Sequence, residues 1–185
     1  VAFASFLGMP VDRLHSVGLA GLLHDYGKAL IPHEILTAPR SLTFQEVETM
    51  RGHVQLGVEK IRQFSSVDSE TIDGIEQHHE KHNGTGYPYR LSGKQIGVIG
   101  RILSLSDVYD ALSSKRVYKG ALPPNKALGM MYKMRGQAWA PGYVERFIKM
   151  VGIFPVGTAV ELSNEHPGIV CCSNTTVPAP PCGLV

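Results

Sequence analysis

The chain has 185 residues, of which 43% are hydrophobic and 18% charged, a balance typical of a globular domain with an apolar core. Its net charge of +2 is too small to indicate a polycation that binds nucleic-acid polymers through their phosphates. No apolar run approaches the roughly 20 residues that a membrane-spanning helix needs. We therefore predict neither a nucleic-acid polymer as partner nor insertion into a membrane.

The cysteines and the first residue indicate the setting of the chain. Cys171, Cys172 and Cys182 all lie near the C-terminus. Their odd number and the lack of a C-x-x-C motif argue against a disulfide framework and a zinc knuckle, so we predict a reducing, cytoplasmic environment. Because the chain opens at Val1 inside a predicted helix, we expect the N-terminal helix to be truncated.

Hydrophobic periodicity and capping signals predict a mostly helical chain. Helices are predicted at 1–7, 11–26, 43–64, from a cap at Ser66 or Asp68 through His79, and at 98–113, 125–135 and 143–151. Gly27 is predicted to be the C-cap of the second helix, and Thr43 with Glu46 predicts a capping box at the start of the third.

The residues after Pro155 predict a different local structure. Short extended pieces surround a predicted turn at 165–168, and the tail from Thr175 is predicted to be loosely ordered. The resulting fold class is all-α, a helical bundle with a small C-terminal extended or β appendage. We expect residues 1–154 to form the main domain, with residues 155–185 packed on it as appendage and tail.

Six side chains of metal-ligand type lie on or at the ends of the predicted helices: His24, Asp25, His53, His78, His79 and Asp107. Imidazole and carboxylate groups are preferred ligands of divalent metals, and helical bundles build metal sites from inward-facing side chains. Each residue alone has a structural explanation, as when His53 is a hydrogen-bonded core histidine. Burying the whole set without a metal would leave many polar groups to satisfy, so we predict a metal site.

Several motifs make a specific resemblance visible. They are H-D-x-G-K at 24–28, H at 53, H-H-E at 78–80, N-G-x-G-Y-P at 83–88, R-I at 101–102, D-V-Y-D-A-L at 107–112, R-x-Y-K at 116–119, P-V-G-T at 155–158 and L-S-N at 162–164. With them the chain resembles the HD-GYP family of cyclic di-GMP phosphodiesterases, within the HD-domain superfamily. The resemblance implies an HD-type helical bundle that carries a metal centre.

The function implied by the resemblance is hydrolysis of cyclic di-GMP to linear pGpG, GMP or both, by a hydroxide that bridges two divalent metals. Iron is the first expectation for these metals and manganese the next, with zinc and nickel as alternatives. The alternative function is a cyclic-dinucleotide sensor or protein-interaction module that keeps the metals but turns over slowly. A hydrolase for another cyclic dinucleotide or a nucleotide monoester is a third alternative.

The resemblance also implies roles for individual residues. Asp25 would bridge the two metals and act with Lys28 in catalysis, while His24 and Asp107 would hold one metal. The other metal would be held by His53, His78 and His79. A further His, and sometimes a Glu, belongs to this ligand set in the family, and by spacing it would precede Val1.

Substrate contacts are implied for Lys28, Tyr87, Arg116 and Lys119. Lys28 would contact a non-bridging oxygen or the leaving group, and the R-x-Y-K pair would hold the distal phosphate. The alternatives that stay open are a helix-end lysine stabilised by the helix dipole at residue 28, and a solvated basic turn at 116–119.

The residues of the GYP loop are Asn83, Gly84, Gly86, Tyr87 and Pro88. Its glycines permit positive φ and its proline stiffens the turn, so a purely structural role is an alternative to a functional one. The resemblance implies that this loop contacts a diguanylate cyclase (GGDEF) domain, with an upstream regulatory domain as a further partner. Family members usually carry an acid where this chain has Asn83, and the lost charge affects that contact more than metal binding.

Overall fold

Helices make up most of the structure, a computed structural model that describes residues 1–64, 66–114 and 120–172. In chain order they are α1 (Ala2–Phe6), α2 (Val11–Leu23), α3 (His33–Leu36), α4 (Phe44–Arg51), α5 (His53–Ile61), α6 (Ser69–Gln77), α7 (Val98–Ser113), α8 (Pro124–Lys133) and α9 (Tyr143–Val151). Two short 3-10 helices cover Tyr26–Leu30 and Gly93–Gln95. The predicted all-α fold class is therefore confirmed.

The appendage is an antiparallel pair of strands, β1 (Ala159–Glu161) and β2 (Pro167–Ile169). Val160 stands opposite Gly168 in the register. The predicted turn at 165–168 is placed too late, because β2 already begins at Pro167 and the connection includes Glu165 in a left-handed conformation with φ of 64°. The division of the chain at residue 155 stays a prediction, and the predicted loose tail lies outside the described residues.

The core forms where α6 packs between α2 and α7. Gly74 of α6 permits the close approach to α7, since a Cβ at this position would lie 2.4 Å from Cγ2 of Ile99. The side chain of Asp68 starts α6 by accepting a hydrogen bond from the backbone N–H of Thr71 at 2.8 Å. This packing fixes the end of α6, where His78 and His79 follow.

Helix α2 is shorter than predicted. The predicted helix 11–26 ends at Leu23, so His24 and Asp25 lie beyond it and a 3-10 helix begins at Tyr26. The prediction that Gly27 is a C-cap is wrong. Gly27 is buried against α5, where a Cβ would lie 1.8 Å from the carbonyl oxygen of His53.

The predicted helix 43–64 is two helices, α4 and α5, which meet at Gly52. Gly52 keeps helical dihedral angles, φ −59° and ψ −17°, so the sequence shows no strong breaking signal there. The predicted capping box at the start of α4 is confirmed, with Thr43 and Glu46 exchanging side chain to backbone hydrogen bonds. The division makes His53 the first residue of α5 rather than an interior residue of a long helix.

The remaining helices follow the predictions closely. Helices α7 and α9 have the predicted bounds, and α8 is shifted by one or two residues at each end. Helix α6 ends at Gln77, so the predicted helical placement of His78 and His79 is wrong. Within the described residues, no helix has both the length and the apolar character needed to cross a membrane.

Candidate metal centre

The six predicted ligands come together where four helices meet. His24 and Asp25 follow α2, His53 begins α5, His78 and His79 follow α6, and Asp107 lies in α7. Their ligand atoms form two groups, each with all atoms within 4.8 Å of one another: Asp25 with His53, His78 and His79, and His24 with Asp25 and Asp107. Asp25 belongs to both groups.

The two carboxylate oxygens of Asp25 face different histidines. Oδ1 lies 3.4 Å from Nε2 of His53, and Oδ2 lies 3.3 Å from Nε2 of His24. Nε2 of His24 also lies 3.9 Å from Oδ1 of Asp107. A carboxylate placed in this way can contact a cation on each side, as the bridging role predicted for Asp25 requires.

Backbone carbonyls orient three of the imidazoles. Nδ1 of each ring lies within hydrogen-bond distance of the carbonyl oxygen three residues earlier: His24 with Gly21 at 2.8 Å, His53 with Met50 at 2.7 Å and His78 with Ile75 at 2.6 Å. A carbonyl oxygen only accepts, so Nδ1 carries a proton in each of the three rings. In His53 and His78, which burial keeps neutral, Nε2 therefore presents its lone pair to the centre.

Three buried atoms at the centre make no hydrogen bond with any described residue. They are Oδ1 of Asp25, Nε2 of His53 and Nε2 of His78. Leaving a buried acceptor unsatisfied costs roughly 1–3 kcal/mol, and here several lone pairs face one another. A divalent cation would satisfy all three atoms at once, so these residues fit a metal.

Burial keeps most of the imidazoles neutral. It lowers the pKa of His53, lowers the pKa of His78 to about 4 and lowers the pKa of His79 to about 2. A neutral imidazole is the form that binds a metal, because the ligand atom must be free of a proton. At neutral pH these three side chains are therefore ready to coordinate.

His24 and Asp25 form a charge-coupled pair. The hydrogen bond to Asp25 raises the pKa of His24 despite burial of the ring. Burial raises the pKa of Asp25, but hydrogen bonds from His24 and Lys28 outweigh it and hold that pKa below its usual range. Asp25 is thus an anion throughout the physiological range.

Lys28 lies at the rim of the centre. Its Nζ is 2.6 Å from Oδ2 of Asp25, and both side chains are about a third exposed, 34% and 35% respectively. The ammonium group of Lys28 is therefore held beside the predicted metal ligands and remains open to solvent. Of the other predicted substrate contacts, Arg116 and Lys119 lie outside the described residues.

Tyr87 connects the GYP loop to the centre. Its ring stacks on His79 with centroids 4.6 Å apart and an interplanar angle of 26°. The guanidinium carbon of Arg51 lies 5.2 Å from the centroid of the same ring. The predicted substrate contact at Tyr87 is thus placed directly beside a predicted metal ligand.

Glu80 organises the GYP loop, a role that the sequence analysis missed. The side chain is 1% exposed, and its two oxygens accept hydrogen bonds from the backbone N–H groups of Tyr89 at 2.7 Å and Leu91 at 3.0 Å. Gly86 packs against the same turn, where a Cβ would lie 2.5 Å from Cα of Glu80. The H-H-E motif was the signal for this role, but only the fold shows which N–H groups the Glu meets.

The two loop glycines serve different purposes. Gly84 has a φ of 77°, as predicted, whereas Gly86 is required for close packing and not for a positive φ. Oδ1 of Asn83 accepts hydrogen bonds from the N–H of Thr85 at 3.1 Å and from its hydroxyl at 2.7 Å. An aspartate could accept both bonds, so Asn83 preserves this turn while removing a charge.

Comparisons with known proteins agree with this geometry. A family model described as "HD domain" matches residues 2–141. A cyclic di-GMP phosphodiesterase of Pseudomonas aeruginosa is 38% identical over 170 residues, which cover 92% of this chain and 41% of the relative. A 3′3′-cGAMP-specific phosphodiesterase of Vibrio cholerae is 35% identical over 147 residues, 79% of this chain and 28% of the relative.

A solved structure shows the same fold. An HDG"Y"P protein from Bdellovibrio bacteriovorus matches with a TM-score of 0.63 and 24% identity, over 78% of this chain and 46% of that one. The chain spans less than half the length of these relatives. The predicted resemblance to the HD-GYP family is confirmed by these matches, and the chain belongs to the HD domain family.

Proposed function

We propose that this chain is a metal-dependent phosphodiesterase that hydrolyses cyclic di-GMP to pGpG, GMP or both. The observation that supports the proposal is that Asp25 belongs to both groups of potential ligand atoms. The names of the relatives support the substrate class. The substrate itself and the activity of the whole protein are part of the proposal.

The proposed ligands divide as the two groups do. Asp25 would serve both metals, His24 and Asp107 would hold one, and His53, His78 and His79 would hold the other. The chemistry that two bound divalent metals would supply is a lowered pKa of the attacking water and neutralisation of charge on the phosphoryl oxygens. We propose iron first and manganese next, with zinc and nickel as alternatives.

Two residues would act directly in catalysis. Asp25 stays ionised, because His24 and Lys28 hold its pKa low, and so it keeps the centre anionic. Lys28 is the cation beside it, about a third exposed, and it would stabilise a non-bridging oxygen or the leaving oxygen of the substrate. Tyr87, stacked on His79, would contact the substrate from the loop side. The roles of Arg116 and Lys119 at the distal phosphate stay predictions.

The partners and the location complete the proposal. A GGDEF domain would contact the GYP loop, and an upstream regulatory domain would control turnover. We place the protein in the cytoplasm on the basis of its cysteine pattern. The neutral amide of Asn83 makes the loop contact less dependent on charge than an acid would.

The direct test is product formation. Protein incubated with cyclic di-GMP and Mn²⁺ or Fe²⁺ is analysed by anion exchange, and we expect pGpG or GMP. His53→Ala should give no product above background, while His33→Ala, which alters an exposed histidine, should match the wild type. Tight binding of cyclic di-GMP without product would replace this function by the sensor function.

A further inference from the structure

A polar groove lies between the α4–α5 corner and the GYP loop. Its volume is about 540 Å³, within the range of small-molecule sites, about 300–1,000 Å³. The side chains that line it include Glu48, Arg51, Gln55, Thr85, Tyr87 and Arg90. Of these six side chains, only Tyr87 takes part in the proposed metal chemistry.

The groove lies beside the candidate metal centre. Tyr87 lines the groove and stacks on His79, so a single aromatic ring separates the groove from a predicted ligand. Arg51 lies over the same ring, with 46% of its side chain exposed. A substrate whose phosphate lies at the centre can therefore extend another group into the groove.

The groove is lined by two arginines, whose guanidinium groups are hydrogen-bond donors. Nη1 of Arg51 donates to Glu48, its neighbour one turn back in α4, and a guanidinium has five N–H donors in a planar fork. Arg90 also lines the groove, with a φ of 56° that is uncommon for a residue with a side chain. Residues in this conformation occur at ligand clamps as well as in other tight turns, and Arg90 is one that lines the groove.

We propose that this groove binds one nucleobase of the cyclic dinucleotide and that Arg51 makes the site selective for guanine. Guanine presents two adjacent acceptors, O6 and N7, which match the donor fork of arginine. Adenine presents an N6 donor in place of O6, and this donor would oppose the guanidinium N–H groups. The inference rests on the proposed function because it names a cyclic dinucleotide as the ligand.

Binding of 5′-GMP and 5′-AMP to the metal-loaded protein tests the inference without turnover. The two nucleotides carry the same phosphate, so the ratio of their Kd values isolates the base. We expect wild-type protein to prefer GMP, and Arg51→Ala to reduce that preference by roughly tenfold, the value of one bidentate contact. Arg51→Lys should reduce it as well, because lysine keeps the charge but lacks the fork.

A control variant and the hydrolysis assay make the outcome decisive. Arg40→Ala removes an exposed arginine that pairs with Glu46 outside the groove, and it should leave the preference unchanged. A GMP preference that stays within twofold of wild type in Arg51→Ala, or loss of metal from that variant, would overturn the inference. If cyclic di-GMP is hydrolysed but the preference is unaffected, only this inference fails. If GMP is selected through Arg51 but nothing is hydrolysed, only the proposed function fails.

Discussion

Gly27 and His53 are in direct backbone contact, since a Cβ on Gly27 would lie 1.8 Å from the carbonyl oxygen of His53. The same Cβ would lie 2.7 Å from the backbone nitrogen of Gly57. This contact joins the 3-10 helix that follows Asp25 to the first turn of α5. It therefore sets the position of Asp25 relative to His53. Oδ1 of Asp25 and Nε2 of His53 lie 3.4 Å apart.

Replacing Gly27 by alanine should separate these two segments. The atoms that this Cβ would meet belong to the backbone and cannot rotate away, so we expect Gly27→Ala to lower the free energy of unfolding by about 1–3 kcal/mol or more. Gly129→Ala is the matched control, because a Cβ there meets nothing within 4 Å and alanine favours the helix by about 1 kcal/mol. Urea unfolding measures both, and equal stability of Gly27→Ala and wild type would contradict the contact.

Local signals predicted the fold well where neighbours along the chain decide the structure. Helices α7 and α9 have the bounds predicted from the sequence. The end of α2 and the corner at Gly52 depend instead on the contact between Gly27 and α5, which joins residues distant in sequence. A helical φ and ψ at Gly52 means that no local breaker marks the corner.

The candidate site could be predicted in its members but not in its geometry. Ligand chemistry and the motifs identified His53 and Asp107, among others, and the structure brings the set together. Their function as metal ligands stays a prediction. The sequence could not show that each Nδ1 would meet a carbonyl three residues earlier, since those bonds depend on side-chain orientation. Nor could it show the donors that surround buried Glu80.

Lys28→Ala should retain the metals and slow catalysis. Lys28 is a cation bound to Oδ2 of Asp25, so its removal takes away a competitor for that oxygen and not a ligand. We expect unchanged metal content and a fall in kcat of roughly 100-fold, the size typical of a lost electrostatic contact in the transition state. Lys60→Ala, an exposed lysine, is the control for both measurements. Loss of metal from Lys28→Ala would refute the assigned role.

Glu80→Gln should loosen the GYP loop. The amide replaces one carboxylate oxygen by a donor, which then faces the N–H of Tyr89 or Leu91 instead of accepting its hydrogen bond. A buried unsatisfied group costs about 1–3 kcal/mol, so hydrogen exchange at these two amides should accelerate. Exposed Glu59 offers the control Glu59→Gln. Unchanged exchange at both amides would remove Glu80 as the organiser of the loop.

The stability of α6 should depend on pH through Asp68. Burial raises the pKa of this carboxyl, but hydrogen bonds from Thr71 and Ser16 lower it more, to below its ordinary value. A carboxyl with a lowered folded pKa contributes stability above its unfolded pKa of about 3.9, and that contribution is lost as the pH falls through the folded value.

Asp68→Asn isolates this effect, because asparagine caps helices about as well as aspartate but does not titrate. Between pH 5 and pH 2, roughly the span of these titrations, the wild type should lose stability relative to the variant. Urea unfolding at several pH values gives the difference directly. A constant difference across that span would show that the pKa of Asp68 is the same in the folded and unfolded states.

The metal content of anaerobically purified protein, measured by mass spectrometry, tests the central claim that Asp25 is shared by two metal sites. The wild type should hold two equivalents of divalent metal, His78→Ala should lose at least one, and Asp25→Ala should lose both. The exposed-histidine variant His33→Ala should keep two, with circular dichroism confirming that every variant is folded. Wild-type metal content in folded Asp25→Ala would contradict the account.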